Sequence, residues 1–179
     1  MKNSEKQIMA LEGKYHDRLI TAAGDCMDFG WRSNVIVDQC RRLLAAFMKG
    51  DAASGIQYLA LGRGDAAWDA EAPAPPDMST DKLTDPAPVT VAVTDAEMTI
   101  AFLDNIGDIT AGPSHRIQVT VTLPPGSLPI AAGDAAFPLR EFALFGQLAA
   151  DDIMIDYVRH PVMNIGPEDT LIRKIRLVF

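Results

Sequence analysis

Ile117, Val119, Val121 and Leu123 alternate with Gln118, Thr120 and Thr122. That period of two marks a half-buried strand, because successive strand side chains point to opposite faces. Residues 98–103 (MTIAFL), 139–145 (LREFALF), 153–162 (IMIDYVRHPV) and 171–179 (LIRKIRLVF) supply four more strands. The apolar run IQYLALG at 56–62 stops at a glycine and reads as a buried strand. Turn residues punctuate these runs at Asn105-Ile106-Gly107, Pro124-Pro125-Gly126, Gly146 and Gly166-Pro167.

A helical period occurs once. Ile36, Cys40, Leu43, Leu44, Phe47 and Met48 recur at three- and four-residue spacing, which predicts one amphipathic helix from Val35 to Lys49. Ser33 or Asn34 is placed to cap it and Gly50 to stop it. Residues 1–32 show no firm period and are expected to form an N-terminal arm with short elements. Residues 33–179 are then a single β-rich domain. Within it, EAPAPPDMSTDKLTDPAP at 71–88 carries five prolines and is expected to be a solvated surface loop. Several strands and one helix give an α+β, mainly β fold: an antiparallel sheet or sandwich, with the helix packed on it or at its edge.

Charge narrows the partners. The 179 residues carry a net charge of −8, which argues against binding to a phosphate backbone and hence against a nucleic-acid partner. Ten carboxylates against the single cation Lys82 lie between Asp65 and Asp108, whereas Arg173, Lys174 and Arg176 crowd the last seven residues. This asymmetry fits a protein with two different neighbours. Cys26 and Cys40 have no metal-ligand spacing to His16, His115 or His160, so no metal or cofactor is expected. The opening MKNSEKQIMALEGK lacks the apolar core of a signal peptide, and no apolar run reaches the length of a membrane span. Synthesis in the cytoplasm and no membrane span are the expectation.

LALGRGD at 59–65 raises three readings. A dinucleotide fingerprint needs a third glycine where Ala67 stands, and a Walker loop needs a lysine where Asp65 stands. Arg63-Gly64-Asp65 spells a receptor-binding tripeptide, but a strand-ending turn accounts for Gly62 and Gly64 without a ligand. Asp151-Asp152 and Glu168-Asp169 fall in turns, where solvated acids are ordinary. His160, beside Asp156 and Arg159, is the one candidate general base, and a structural role is the stronger reading. No nucleophile elbow or triad is present. No catalytic residues, and no enzyme, are expected.

FPLREFALFG at 137–146 is unusual in another way. Strict alternation puts Arg140 and Glu141 on opposite faces and places Glu141 with Leu139, Ala143 and Phe145. An unpaired carboxylate there is costly, so a partner among Arg159, Arg173 or Arg176 is expected, with an edge position open to water as the alternative.

The same stretch carries a resemblance. REFALFG, YVRHPV and the terminal DTLIRKIRLVF resemble the attachment domain of phage tail-collar fibre proteins, in which an (I/L)REhGLF-like strand is followed by a hairpin strand and a closing basic-apolar strand. IQYLALGRGDAAWD resembles that family's ALGxG strand and turn. The likeness covers residues 56–64 and 137–179; Ala143 stands where glycine is commoner. It implies scaffold roles for Gly62, Gly64, Leu139, Arg140, Glu141, Phe142, Phe145 and Gly146. Collar fibres carry this domain at the start of a much longer fibre, so the expectation is an attachment module without shaft or tip.

The resemblance thus implies a structural component of a phage tail or contractile injection particle, an adaptor or collar protein resident in the assembled particle. Its partners would be other tail or baseplate proteins and copies of itself, as a trimer or higher symmetric oligomer. The alternative is a free-standing module that holds a small ligand or carbohydrate between sheet and helix.

Overall fold

A computed structural model describes residues 11–179. Eleven strands and one helix follow in the order β1 (Glu12–Ile20), β2 (Cys26–Ser33), β3 (Val35–Ile36), α1 (Asp38–Lys49), β4 (Ala53–Gly62), β5 (Val89–Ala92), β6 (Met98–Leu103), β7 (Ile109–Thr110), β8 (Arg116–Leu123), β9 (Phe137–Leu148), β10 (Asp151–Ile165) and β11 (Thr170–Val178). They form two antiparallel sheets, β2-β1-β11-β8-β6-β7 and β3-β10-β9-β4-β5. The mainly β fold with one helix is as the periodicity requires.

The core lies between the sheets. Tyr15, Leu19, Val119, Val121, Leu171, Ile175 and Leu177 from the six-stranded sheet meet Leu59, Leu61, Phe137, Leu139, Phe142, Leu144 and Val158 from the five-stranded one. In β1 and β11 every second residue is buried, the pattern of a sheet with one wet face.

β9 breaks that pattern, with ten of its residues from Phe137 to Gly146 almost all buried. The outer face of the five-stranded sheet is covered too. A second apolar cluster there joins Val37, Ala60, Leu83, Ala143, Phe145, Met154 and Tyr157. Leu83 comes from the proline-rich segment, whose Pro76 is also buried. The segment is a largely exposed loop, as expected, but Pro76 and Leu83 pin it as a strap across its own sheet. Its prolines suit it to this: they fix an extended path that asks for no strand pairing.

Two expectations fail. The arm at 1–32 is not an arm from Leu11 onward, because β1 sits between β2 and β11; residues 1–10 lie outside the described residues. The helix starts at Asp38, with Val37 as a cap that offers no side-chain hydrogen bond. Val35 and Ile36 pair instead with Tyr157 and Asp156 of β10, and Ser33 belongs to β2. Gly50 ends the helix in the left-handed conformation, as expected. Cys40, Leu43 and Ala46 are the buried face, while Phe47 and Met48 are 58% and 89% exposed. The stripe overran at its end: Leu43 and Ala46 are still buried, whereas Phe47 and Met48 point away from the sheet.

Candidate functional site

Two of the residues singled out by the sequence, Arg140 and Glu141, meet on the outer face of β9. Leu139 and Phe142 both pack into the inter-sheet core, so the two residues between them, Arg140 and Glu141, share the outer face. Pairing with β10 is irregular at the same place: Arg159 opposes Glu141 and Met163 opposes Leu139, so three residues of β10 bulge opposite Arg140. This corrects the strict alternation, which had set Arg140 and Glu141 apart and Leu139 beside Glu141.

Glu141 is fully buried, and no arginine holds it. Its carboxylate accepts from the backbone N–H of Thr84 at 3.0 Å and of Asp85 at 2.6 Å, and from the Tyr157 hydroxyl. Backbone amides are fixed donors and satisfy a buried carboxylate well. Tyr157 has its pKa raised, by burial first and by the Glu141 carboxylate second, so its hydroxyl stays a donor. The expected partners are occupied elsewhere. Arg159 donates to the Tyr157 hydroxyl at 3.2 Å and lies over the Trp68 ring. Arg173 pairs with Asp17 in the core. Arg176 donates to Gln118 Oε1 and to the Gly107 carbonyl on the far sheet.

Arg140 makes the second half of a clasp. It grips the Asp69 carboxylate through Nε at 2.7 Å and Nη2 at 2.6 Å, while Nη1 donates to the Arg63 carbonyl. Arg140 thereby holds Asp69 well below the usual carboxylate range. Arg63 N–H in turn donates to Asp85 Oδ2 at 2.7 Å. Neighbouring residues of β9 thus fasten both ends of the strap, one at the turn after β4 and one at Thr84-Asp85.

Gly62 and Gly64 make room for this. A Cβ at Gly62 would lie 2.6 Å from Glu141 Oε1, and one at Gly64 would lie 2.9 Å from Arg140 Cβ and collide with Trp68. Gly64 also has φ +56°, a conformation that favours glycine. In the RGD tripeptide, Arg63 donates to the Pro129 carbonyl and lies over the Phe137 ring. Asp65 caps a single 3₁₀ turn (Ala66–Asp69) through the Ala67 amide. Its arginine is spent on internal contacts, not offered at a loop tip.

The other motif residues serve packing. Phe142 faces inward, edge-on to Tyr15 with centroids 5.1 Å apart. Phe145 faces outward and stacks on Tyr58 at 4.9 Å. Gly146 lets Leu43 of α1 approach, since a Cβ there would meet Leu43 Cδ2 at 2.6 Å.

His160 is buried, and burial lowers its pKa to about 4. Its Nδ1 faces the Pro161 carbonyl at 2.8 Å. It is a neutral core imidazole with no nucleophile in hydrogen-bond reach. Asp151 and Asp152 are exposed at the start of β10, and Asp169 accepts from the Gly166 amide in a turn. Among the described residues, no three His, Cys, Asp or Glu side chains gather as a metal site would require. None of the described helices is long and apolar enough to cross a membrane.

Sequence reasoning missed Asp17, Asp69, Thr84, Asp85 and Asp156. Asp156 lies fully buried in the core and accepts from the Leu144 amide and from the Asn34 side chain; burial raises its pKa to about 6. No family model, curated protein or solved structure matches the chain.

Proposed function

We propose that this protein is a structural component of a phage tail or contractile injection particle, an adaptor or collar protein that acts by assembly. The reading rests on the resemblance carried by REFALFG, LALGRG and the closing basic-apolar strand. One structural observation supports it. The polar groups of Arg140 and Glu141 are all turned to fastening the strap, which leaves no reactive cleft at the motif.

The test is purification of intact particles from a host that carries this gene, followed by imaging with a tag on this chain. A stoichiometric band and localised tag density are expected. Absence from purified particles overturns the reading.

One observation favours the ligand module. An apolar cleft of about 190 Å³ opens between α1 and the sheets, lined in part by Leu43, Leu44, Ile56, Ile100 and Phe179. Ligand pockets usually measure about 300–1,000 Å³, so the cleft admits a side chain or a short acyl group more readily than a sugar. Saturable binding of short-chain fatty acids, lost on Leu44→Trp, is the result this second reading requires.

A further inference from the structure

The two outer faces of the sandwich differ in charge. On the six-stranded sheet the even-numbered residues of β1 and β11 point outward. Lys14 stands opposite Arg176, and His16 opposite Lys174. Arg18 lies beyond them in β1, and Arg116 begins the neighbouring β8. Five fixed cations thus share this side. Carboxylates on or beside it include Glu12, Asp25, Asp28, Asp104, Asp108 and Glu168; Asp28 is taken by His16 at 2.7 Å and Asp104 by three turn amides. Trp31, 40% exposed, sits among the cations, with the Arg176 guanidinium 4.4 Å and Lys14 Nζ 5.2 Å from its ring centroid. A cleft of about 510 Å³ opens beside Lys14, Arg116 and Arg176.

The opposite side is the strap. Asp65, Glu71, Asp77 and Asp81 are exposed on it, with Lys82 as its own cation and Arg159 half-buried beside it. Asp69 and Asp85 are used internally. A chain of net charge −8 therefore gathers five of its cations on the outer face of one sheet and lays an acidic segment over the other.

We propose that copies of this protein stack head to tail, the basic outer face of one six-stranded sheet seating the acidic strap of the next copy. The proposal deepens the assembly reading and rests on it. The occupant is a second copy because the chain itself carries the complementary surface, on the side turned away from the first. Such a contact uses two different surfaces and so propagates, closing into a ring or extending as a fibre. Trp31, on the edge strand β2 with its ring against Lys14 and Arg176, supplies a flat apolar anchor within the charged face, the kind of residue enriched among interface hot spots.

The experiment is sedimentation of the full chain at low and high salt, with two double variants. Lys14→Gln with Lys174→Gln neutralises one face, and Glu71→Gln with Asp81→Asn neutralises the other. Wild type should associate at low ionic strength and dissociate at about 1 M salt, where the Debye length falls to about 3 Å. Each double variant alone should lose association at least tenfold. Mixed, they should form a one-to-one dimer, since each retains the face the other lacks. Three outcomes overturn the proposal: a monomer at every salt, association that survives either variant, or a variant mixture that stays monomeric. Binding of single-stranded DNA by a monomer that does not self-associate also overturns it. A monomeric protein that nevertheless travels with purified particles defeats only the stacking; absence from particles defeats the assembly reading itself.

Discussion

Asp17 and Arg173 face each other across β1 and β11 and form a bidentate ion pair, Nε to Oδ1 at 2.7 Å and Nη2 to Oδ2 at 2.8 Å, wholly inside the core. The guanidinium carbon lies 3.7 Å from the Phe142 ring centroid, so its flat surface is packed against an aromatic face. Removing one partner strands a buried charge, which typically costs about 3–5 kcal/mol. Asp17→Ala or Arg173→Ala should each lose roughly that much in urea unfolding. Asp17→Leu with Arg173→Met should lose less than either single change, because no charge is left behind. A double variant weaker than both singles would show that the pair, rather than the space it fills, stabilises the core.

Glu141 is the post on which the strap is hung. Glu141→Ala leaves the Thr84 and Asp85 amides without an acceptor, at about 1–3 kcal/mol for each buried donor stranded. The strap should then lift, exposing Ala143 and Phe145 beneath it. Limited proteolysis within residues 71–88 should quicken markedly, and global stability should fall by at least about 1 kcal/mol. Glu141→Gln should behave similarly, since an amide NH₂ presents donors to donors. Unchanged cleavage in both variants would mean that contacts other than Glu141 hold the strap.

These two carboxylates show what the sequence conceals. β11 was legible because three of its four inward residues, Leu171, Ile175 and Leu177, are apolar and Arg173 is a single interruption. β1 was not, because its inward trio is Tyr15, Asp17 and Leu19; the one charged residue breaks a short pattern, and only its pairing with Arg173 makes burial tolerable. Likewise Glu141 announced its need for a partner, but backbone amides carry no residue signature, so the search among arginines could not succeed. The anchoring of the strap was hidden for a related reason. Proline and acid spell solvation locally, while the groups that hold it, Arg140 and Glu141, lie more than fifty residues further on.

The end of α1 supplies a check on the helix boundary. Phe47 and Met48 project into solvent, so Phe47→Ser and Met48→Ser should change stability by no more than about 0.5 kcal/mol, the level of ordinary surface substitutions. Leu43→Ala, which opens space against Gly146, should cost about 2–5 kcal/mol. A large loss at Phe47 in dilute monomer would place the helix differently on the sheet.

The core also holds two titrating groups whose pH effects oppose each other. His160 is buried neutral with its pKa lowered from 6.5 to about 4. The unfolded chain therefore takes up its proton first as pH falls, and the stability this gives above pH 6.5 is lost on the way down to pH 4. Asp156 is shifted the other way, from 3.8 to about 6, chiefly by desolvation. Here the folded state keeps a proton that the unfolded chain has released, so the contribution is full below pH 3.8 and lost as pH rises through 6. Each shift is about two units, or about 3 kcal/mol at 1.36 kcal/mol per unit, and between pH 4 and 6 the two slopes largely cancel. Single variants should separate them. Relative to wild type, Asp156→Asn should gain stability as pH rises from 4 to 6; the Asn34 amide can turn its unpartnered Oδ1 toward the new donor. Relative to wild type, His160→Gln should lose stability over the same rise. Urea midpoints measured at half-unit steps give both difference curves, and curves of the same sign would mean that one of these groups is not buried as described.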